Sequence, residues 1–342
     1  MIEYLRDELL VWYRINGRSL PWRETKDPYQ VWLSEIILQQ TRVNQGLPYY
    51  QKFLEHYPNV KSLAKANEQD VLNDWQGLGY YSRARNLIVA AKQIVNDYEG
   101  QFPDTYERII KLKGVGEYTA AAISSIAFGE RRAVLDGNVF RVLARIFNID
   151  NDIAASSSRK IFQSKADELL CKENPAEFNQ AIMDFGAIQC TPKSPACITC
   201  PLNQYCQALK KGRVSELPIK IKKLKRKTRY FHYFREAKTN FIYLKVRGPK
   251  DIWQGLMELP LIETQNEELM LTELNSILNT HHQPELEFYK IHKLTHQDIH
   301  AKFYKILGEF NLPSNYIKVL PEELESKPVP RLIDEYFDYI GV

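Results

Sequence analysis

Two carboxylates in unlike surroundings, one phenol and four clustered thiols are the residues of this chain best suited to chemistry. Glu35 lies within Val31-Trp32-Leu33-Ser34-Glu35-Ile36-Ile37-Leu38, whose apolar flanks are poor for a solvated surface residue. Burial there would raise its pKa and make it a general acid near neutral pH. Asp136 precedes Gly137-Asn138 at a helix start. That is a routine N-cap position, and the positive helix end also favours the ionised carboxylate. An anion beside a sugar C1′ can stabilise an oxocarbenium ion or add to it. Two carboxylates pushed in opposite directions are what acid-assisted glycosidic cleavage requires.

The turn Gly114-Val115-Gly116 lies between two helical segments, with Tyr118 just beyond it. Backbone N–H groups at the following helix start can hold an anion such as a phosphate. A lone Gly-x-Gly reads equally as an ordinary helix–helix turn. The cysteines are spaced Cys190-x6-Cys197-x2-Cys200-x5-Cys206, with no histidine among them and prolines at 192, 195 and 201. Four thiolates in one short loop suit a structural zinc ion or an iron–sulfur cluster, and the chemistry alone leaves both open. Cys171 stands outside the spacing and reads as a buried core thiol.

Several elements must position these groups. Asp27-Pro28 supplies an N-cap and a proline at the first helical turn, and Trp32, Leu33, Ile36, Ile37 and Gln40 follow at helical spacing. Gly77 and Gly79 interrupt the next pattern, which restarts over Arg83–Ala91. Asp104 and Glu107 predict a capping box. Helices are expected over Glu117–Phe128, Val139–Phe147 and Asn179–Ile188. Lys220, Lys222, Lys223, Lys225, Arg226, Lys227 and Arg229 then crowd one stretch, most simply a solvated linker. Strand-like alternation follows at 230–234, 241–246 and Ala301–Phe310, with a helical stretch at Glu267–Leu278. The expectation is an all-α region over 1–214, a basic linker over 215–229 and an α+β domain over 230–342.

The 342 residues suffice for two domains, and 44% hydrophobic content for real cores. A net charge of +4 permits nucleic-acid binding without arguing for it. No apolar run approaches the ~20 residues of a membrane span. The charged start, Met1-Ile2-Glu3-Tyr4-Leu5-Arg6-Asp7-Glu8, is unlike a signal peptide. A cytosolic protein is expected, where structural disulfides are rare.

Together these segments resemble the adenine DNA glycosylase (MutY) family of the endonuclease III-like, helix-hairpin-helix superfamily. The resemblance runs through Gly17-Arg18-Ser19-Leu20-Pro21-Trp22-Arg23, Ser34–Thr41, Trp75–Arg85, the hairpin, Leu135–Val139 and the cysteine loop, covering nearly all of residues 10–210. It implies a [4Fe–4S] cluster on Cys190, Cys197, Cys200 and Cys206. It further implies removal of adenine mispaired with 8-oxoguanine or guanine in duplex DNA, by a bacterial cytoplasmic protein that is a monomer and associates with the nucleoid through DNA. Carried over by position, Glu35 would protonate adenine N7 and Asp136 would stabilise the sugar cation or its covalent adduct. Tyr118 would lie next to the sugar, and Asn138 would support the pair by hydrogen bonding. Arg18, Leu20 and Trp22 would wall the adenine pocket. Gln40 and Tyr80 would wedge into the stack, with Thr41 and Leu78 beside them. Gly114, Val115 and Gly116 would grip phosphate.

Endonuclease III-like lyases carry a lysine where this chain has Tyr118, and a phenol cannot form a Schiff base. The resemblance therefore implies a monofunctional glycosylase with little lyase activity, rather than a glycosylase/lyase or a DNA-binding module without catalysis. Trp253-Gln254-Gly255-Leu256-Met257-Glu258-Leu259-Pro260 is similar to a stretch of the family's Nudix-like domain, and no Glu-rich hydrolase box accompanies it. Where the family presents Phe-Ser-His to the lesion, this chain has Leu294-Thr295-His296, which keeps the hydroxyl and imidazole and loses the ring.

Overall fold

Apolar residues at helical spacing dominate the first part of the chain, and helices follow from them. They are α1 (Ile2–Asn16), α2 (Pro28–Leu38), α3 (Val43–His56), α4 (Val60–Lys65), α5 (Glu68–Asp74), α6 (Ser82–Asp97), α7 (Tyr106–Ile109), α8 (Glu117–Phe128), α9 (Gly137–Phe147), α10 (Ser156–Leu169), α11 (Pro175–Asp184) and α12 (Gln207–Lys210). The computed structural model describes all residues except 222–225, 271–272, 275–277, 279, 281 and 310. Lys222, Lys223 and Lys225 of the basic run, and part of the stretch expected to be helical at 267–278, lie outside the described residues. The chain divides into two compact units, one of Met1–Lys65 and Asn86–Lys222, the other of Ala66–Arg85 and Lys223–Val342. Thus 66–85, which lies within the expected all-α region, joins the second unit.

In the first unit, α2 is the central element. The Asp27 carboxylate caps it by accepting the Tyr29 N–H at 2.9 Å. Val31, Trp32, Leu33, Ile36 and Ile37 are all buried, so the helix has little polar face. It packs on α3 and α8. Ala120, Ala121, Ala122, Ser124 and Ser125 of α8 are buried and small, which lets neighbouring helices approach closely. α11 packs on α1, α8 and α9. Its Asn179 is buried and holds the segment leading to Asp136. The side chain accepts from Val134 N–H (3.1 Å) and donates to Ser125 Oγ and Arg132 O (both 2.8 Å). Between α7 and α8 the chain turns at Gly114, whose φ of +78° suits glycine. A Cβ there would also lie 2.6 Å from Asn86 Cβ.

The second unit is built on two sheets. Strands are β1 (Lys227–Glu236), β2 (Ile242–Val246), β3 (Met257–Glu258), β4 (Leu261–Thr264), β5 (Pro284–Lys293), β6 (Gln297–Ile306) and β7 (Ile317–Val319), followed by α13 (Arg331–Ile340). One sheet has the order β4-β1-β6-β5 and the other β3-β2-β7. β1 and β6 are parallel, and the other pairs are antiparallel. Phe231, Tyr233, Phe303, Leu332, Ile333 and Tyr336 form the core under α13. A smaller cluster of Phe234, Ile262, Leu274, Leu278 and Ile306 forms a second core. Within this unit the Gln76 side chain accepts from Val329 N–H (3.2 Å) and donates to Asp334 (3.1 Å). Gln69 donates to Gly255 O (3.0 Å).

Some local expectations give way. Thr105, without a side-chain bond, is the N-cap of α7. Asp104 instead pairs with Arg108 (3.0 Å) and Glu107 with Arg132, so ion pairs displace the capping box. Strand β6 ends at Ile306 and starts at Gln297, four residues earlier than its alternation suggested, because the tight turn at 295–296 sets the register with β5. Residues 267–270 are not helical, whereas Glu273, Leu274 and Leu278 are.

Replacing Asn179 with alanine orphans buried donors and acceptors, each worth about 1–3 kcal/mol. Asn179→Ala is expected to lower unfolding free energy by roughly 3 kcal/mol in urea titrations, and a loss under about 1 kcal/mol would contradict this account.

Candidate active site

Glu35, Tyr118, Asp136 and Asn138 line one cavity of about 540 Å³ in the first unit, together with Arg18, Leu20, Trp22 and Thr41. Each comes from a different local cause. Glu35 projects from the apolar helix α2, and Tyr118 from the second residue of α8. Asp136 is the N-cap of α9, accepting the Val139 N–H at 2.7 Å. Leu20 and Trp22 are held by the turn at Pro21–Arg23, with Trp22 packed edge-on against Tyr50 (centroids 5.1 Å apart). The helix–helix turn opens on an adjoining cavity lined by Gly114, Gly116 and Gln40, and Glu35, Tyr118 and Asp136 line this one too.

The carboxylates differ in their hydrogen bonds. Burial pushes Glu35 up to about 7. The Tyr118 phenol hydrogen-bonds it and Arg23 attracts its charge, both lowering the pKa, while Asp136 raises it further. The Tyr118 oxygen also lies 3.3 Å from Met183 Sδ. Burial raises the Tyr118 phenol as well, so it stays protonated and serves as a donor. Asp136 is also raised by burial, against hydrogen bonds from Val139 and Asn138. The expected lowering at the helix start is therefore overturned: desolvation outweighs the cap. The ranking of the two groups rests instead on donors. Asp136 receives the Val139 N–H and, at 2.9 Å, the Asn138 amide, and Glu35 has the single phenol.

Several residues here carried no sequence signal. Asp184 is fully buried at the end of α11 and binds both pocket arginines. Arg23 reaches it at 2.5 and 2.6 Å, and Arg18 through its backbone N–H (3.0 Å) and Nε (2.9 Å). Burial alone would lift Asp184, but these bonds hold its carboxyl below the usual range. Arg141 donates to Asn138 Oδ1 (2.8 Å), Gly186 O (2.6 Å) and Cys190 O (2.8 Å). Gly186 must lack a side chain, since a Cβ would sit 2.7 Å from Asn138 Cβ. Buried arginines inside an amphipathic helix were the one available hint.

The sulfur atoms of the cysteine loop surround a separate cavity lined by Cys190, Cys197, Cys200 and Cys206. Arg145 fixes the loop through Thr191 O (2.7 Å), Pro192 O (3.2 Å) and Cys190 Sγ (3.3 Å). All four thiols are free. Among the described residues no three His, Cys, Asp or Glu converge closely enough for a single metal ion. Four thiols around one cavity, too spread for one ion, fit a larger iron–sulfur cluster better than zinc. The cluster is [4Fe–4S], the group that this loop type binds.

Not every expected residue joins the cavity. The Val115 side chain is buried and its N–H bonds Leu112 O at 3.1 Å, leaving the glycines to present open backbone. Gln40 and Tyr80 both adopt left-handed backbone (φ 56° and 48°), a strained conformation for such residues. Tyr80 and Leu78 belong to the second unit, with Thr295 and His296. There Tyr80 is exposed, Leu78 is buried, and the Tyr80 phenol bonds the Thr295 hydroxyl. Thr295 and His296 form an exposed two-residue turn closed by Leu294 N–H to Gln297 O (2.8 Å). Leu294 packs back onto the unit's core.

The raised Glu35 pKa has a consequence for stability. Between the ordinary value of 4.5 and about 7 the folded state holds a proton that the unfolded state has lost. Stability therefore falls as pH rises through this window, and the loss persists above it. Glu35→Gln is expected to melt higher than the parent protein at pH 8, with the gain vanishing near pH 4.5. Equal melting temperatures at both pH values would refute a buried, destabilised carboxylate.

Comparison with known proteins agrees with this geometry. Residues 33–168 match the superfamily model of helix-hairpin-helix base excision DNA repair proteins, 190–206 the iron–sulfur binding domain of endonuclease III, and 230–339 the Nudix domain. The adenine DNA glycosylase of Buchnera aphidicola subsp. Schizaphis graminum is 35% identical over 305 residues, covering 88% of this chain and 87% of its own. A thermostable thymine-DNA glycosylase structure is 31% identical over 61% of this chain and 97% of its own, with a TM-score of 0.58. Endonuclease III trapped in a covalent DNA complex (22% identity, TM-score 0.54, 62% of this chain and 98% of that one) shares the fold. The chain belongs to the adenine DNA glycosylase family and is a DNA N-glycosylase.

Proposed function

We propose that this protein removes adenine mispaired with 8-oxoguanine, or with guanine, from duplex DNA, and leaves an abasic site without nicking the strand. The observation that carries the reading is the shared cavity, where a carboxyl protonated near neutrality and a hydrogen-bonded carboxylate flank one phenol. Extruding the adenine costs a few kcal/mol, less for a mispair. Gln40 and Tyr80 would fill the gap, and Arg18, Leu20 and Trp22 would wall the flipped base. Glu35 donates its proton to adenine N7, and the C1′–N9 electron pair leaves with a neutral base. The Asp136 carboxylate, steadied by Asn138, meets the positive charge on the sugar or bonds to C1′. Water completes hydrolysis. Tyr118 orients Glu35 and supplies no amine for a Schiff base.

The second unit supports the choice of opposing base. Tyr80 and Thr295 meet in one hydrogen bond, and exposed His296 adjoins them, so hydroxyl and imidazole would contact the 8-oxoguanine. Gly114 and Gly116 would hold the phosphate backbone. The cluster, on Cys190, Cys197, Cys200 and Cys206, would tie its loop together. Duplex DNA is thus the partner of a monomeric protein working in the bacterial cytoplasm, at the nucleoid. Residues 1–214 serve as glycosylase core, 215–229 as basic linker and 230–342 as recognition domain.

Single-turnover cleavage of an adenine:8-oxoguanine duplex tests this. Glu35→Gln and Asp136→Asn are each expected to slow base release by at least roughly 100-fold. The parent's rate should fall as pH rises through about 7, where Glu35 loses its proton. Full activity in Asp136→Asn would sink the mechanism. Borohydride should trap little adduct, and strong trapping that survives Lys113→Ala would disprove the monofunctional assignment.

A further inference from the structure

The basic run has no part in the cavity described above. From Lys223 to Lys227 the sequence carries four cations and no acid. Structural detail begins at Arg226, and the run feeds directly into β1. There the strand register builds a row across one face of the larger sheet: Tyr230 beside His300, and His300 beside Ile291. Tyr289, two residues back along β5, points to the same face. The Tyr230 and His300 rings lie 5.2 Å apart, and those of Tyr289 and His300 6.3 Å apart. The Tyr289 hydroxyl stands 3.0 Å from His300 Nδ1, which fixes both rings.

Farther along this face Leu274 and Leu278 cover Phe234 and Ile262. The end nearest the 294–296 turn has no such cover, and Tyr289 (43%) and Ile291 (42%) are exposed. The two acids beside it are answered: Asp298 by Arg226 at 3.4 Å and Glu267 by Lys302 at 3.1 Å. The remaining charge is therefore positive. Fixed, exposed rings beside a cationic track match the chemistry of unpaired nucleotides, whose bases offer stacking faces and whose phosphates offer charge. A duplex hides the first of these.

We propose that this face of the second unit binds a short stretch of unpaired nucleic acid, with Tyr230, His300 and Tyr289 stacking on bases and Lys223–Lys227 following the phosphates. The test is fluorescence anisotropy of the full-length protein with a labelled oligothymidine of roughly 12 nucleotides, within the size of known single-strand sites, and with a base-free oligomer of equal length. Oligothymidine is expected to bind at least about tenfold more tightly. The double variant Tyr289→Ala/His300→Ala should lose about tenfold or more on oligothymidine while its rate on the adenine duplex stays unchanged. Tyr289→Phe, which keeps the ring, should retain binding. Equal affinity for the two oligomers would reduce the interaction to charge and overturn the proposal. Unchanged oligothymidine affinity in the double variant would overturn it as well, as would a loss in Tyr289→Phe equal to that in Tyr289→Ala.

Discussion

Keeping the Glu35 carboxyl out of water is the constraint around which the glycosylase core is organised. Helix α2 has almost no polar face, so any ionisable group it carries must find compensation inside the protein. The compensation is limited to one phenol and the field of Arg23. Arg23 is itself committed to Asp184, and its charge is therefore largely answered before it reaches Glu35. A stronger partner would have ionised the acid. A missing one would have left a buried polar group with no donor at all. The pocket sits between those limits, at the cost of stability above neutral pH.

Asp136 meets the opposite demand through local structure. An N-cap supplies one donor from the backbone, Asn138 supplies another, and Arg141 orients Asn138 by binding its oxygen. The same guanidinium holds Gly186 and Cys190. Packing at this point tolerates no extra atom, since Gly186 lies directly against Asn138. The anion is thus positioned by a continuous set of hydrogen bonds that begins at the iron–sulfur loop.

The groups that do chemistry were legible in the sequence because local context marks them: a carboxyl among aliphatics, an Asp before Gly-Asn, cysteines at short intervals. Their supports were not, because the partners are distant in the chain. Asp184 and Arg18 are 166 residues apart, and Asn179 and Ser125 are 54 apart. No periodicity links such pairs. The direction of the Asp136 shift was misread for a related reason, since a cap is visible locally and burial is not. Among strands, β1 and β2 were recognisable by alternation. β5 was missed because its edge position mixes exposed and half-buried residues. The left-handed backbone at Gln40 and Tyr80 has no compositional mark at all.

The placement of Ala66–Arg85 with the C-terminal unit bears on how the protein is made. Gln76 finds its partner Val329 only 253 residues later, and Gln69 meets Gly255 after 186. At translation speeds of about 5–20 residues per second, Gln76 waits roughly 13–50 seconds on the ribosome before its partner exists. Sequence on both sides of this segment can already be folding. The nascent chain must therefore carry an unfinished helical excursion through most of its synthesis, and the last helix to emerge closes a structure begun near the first.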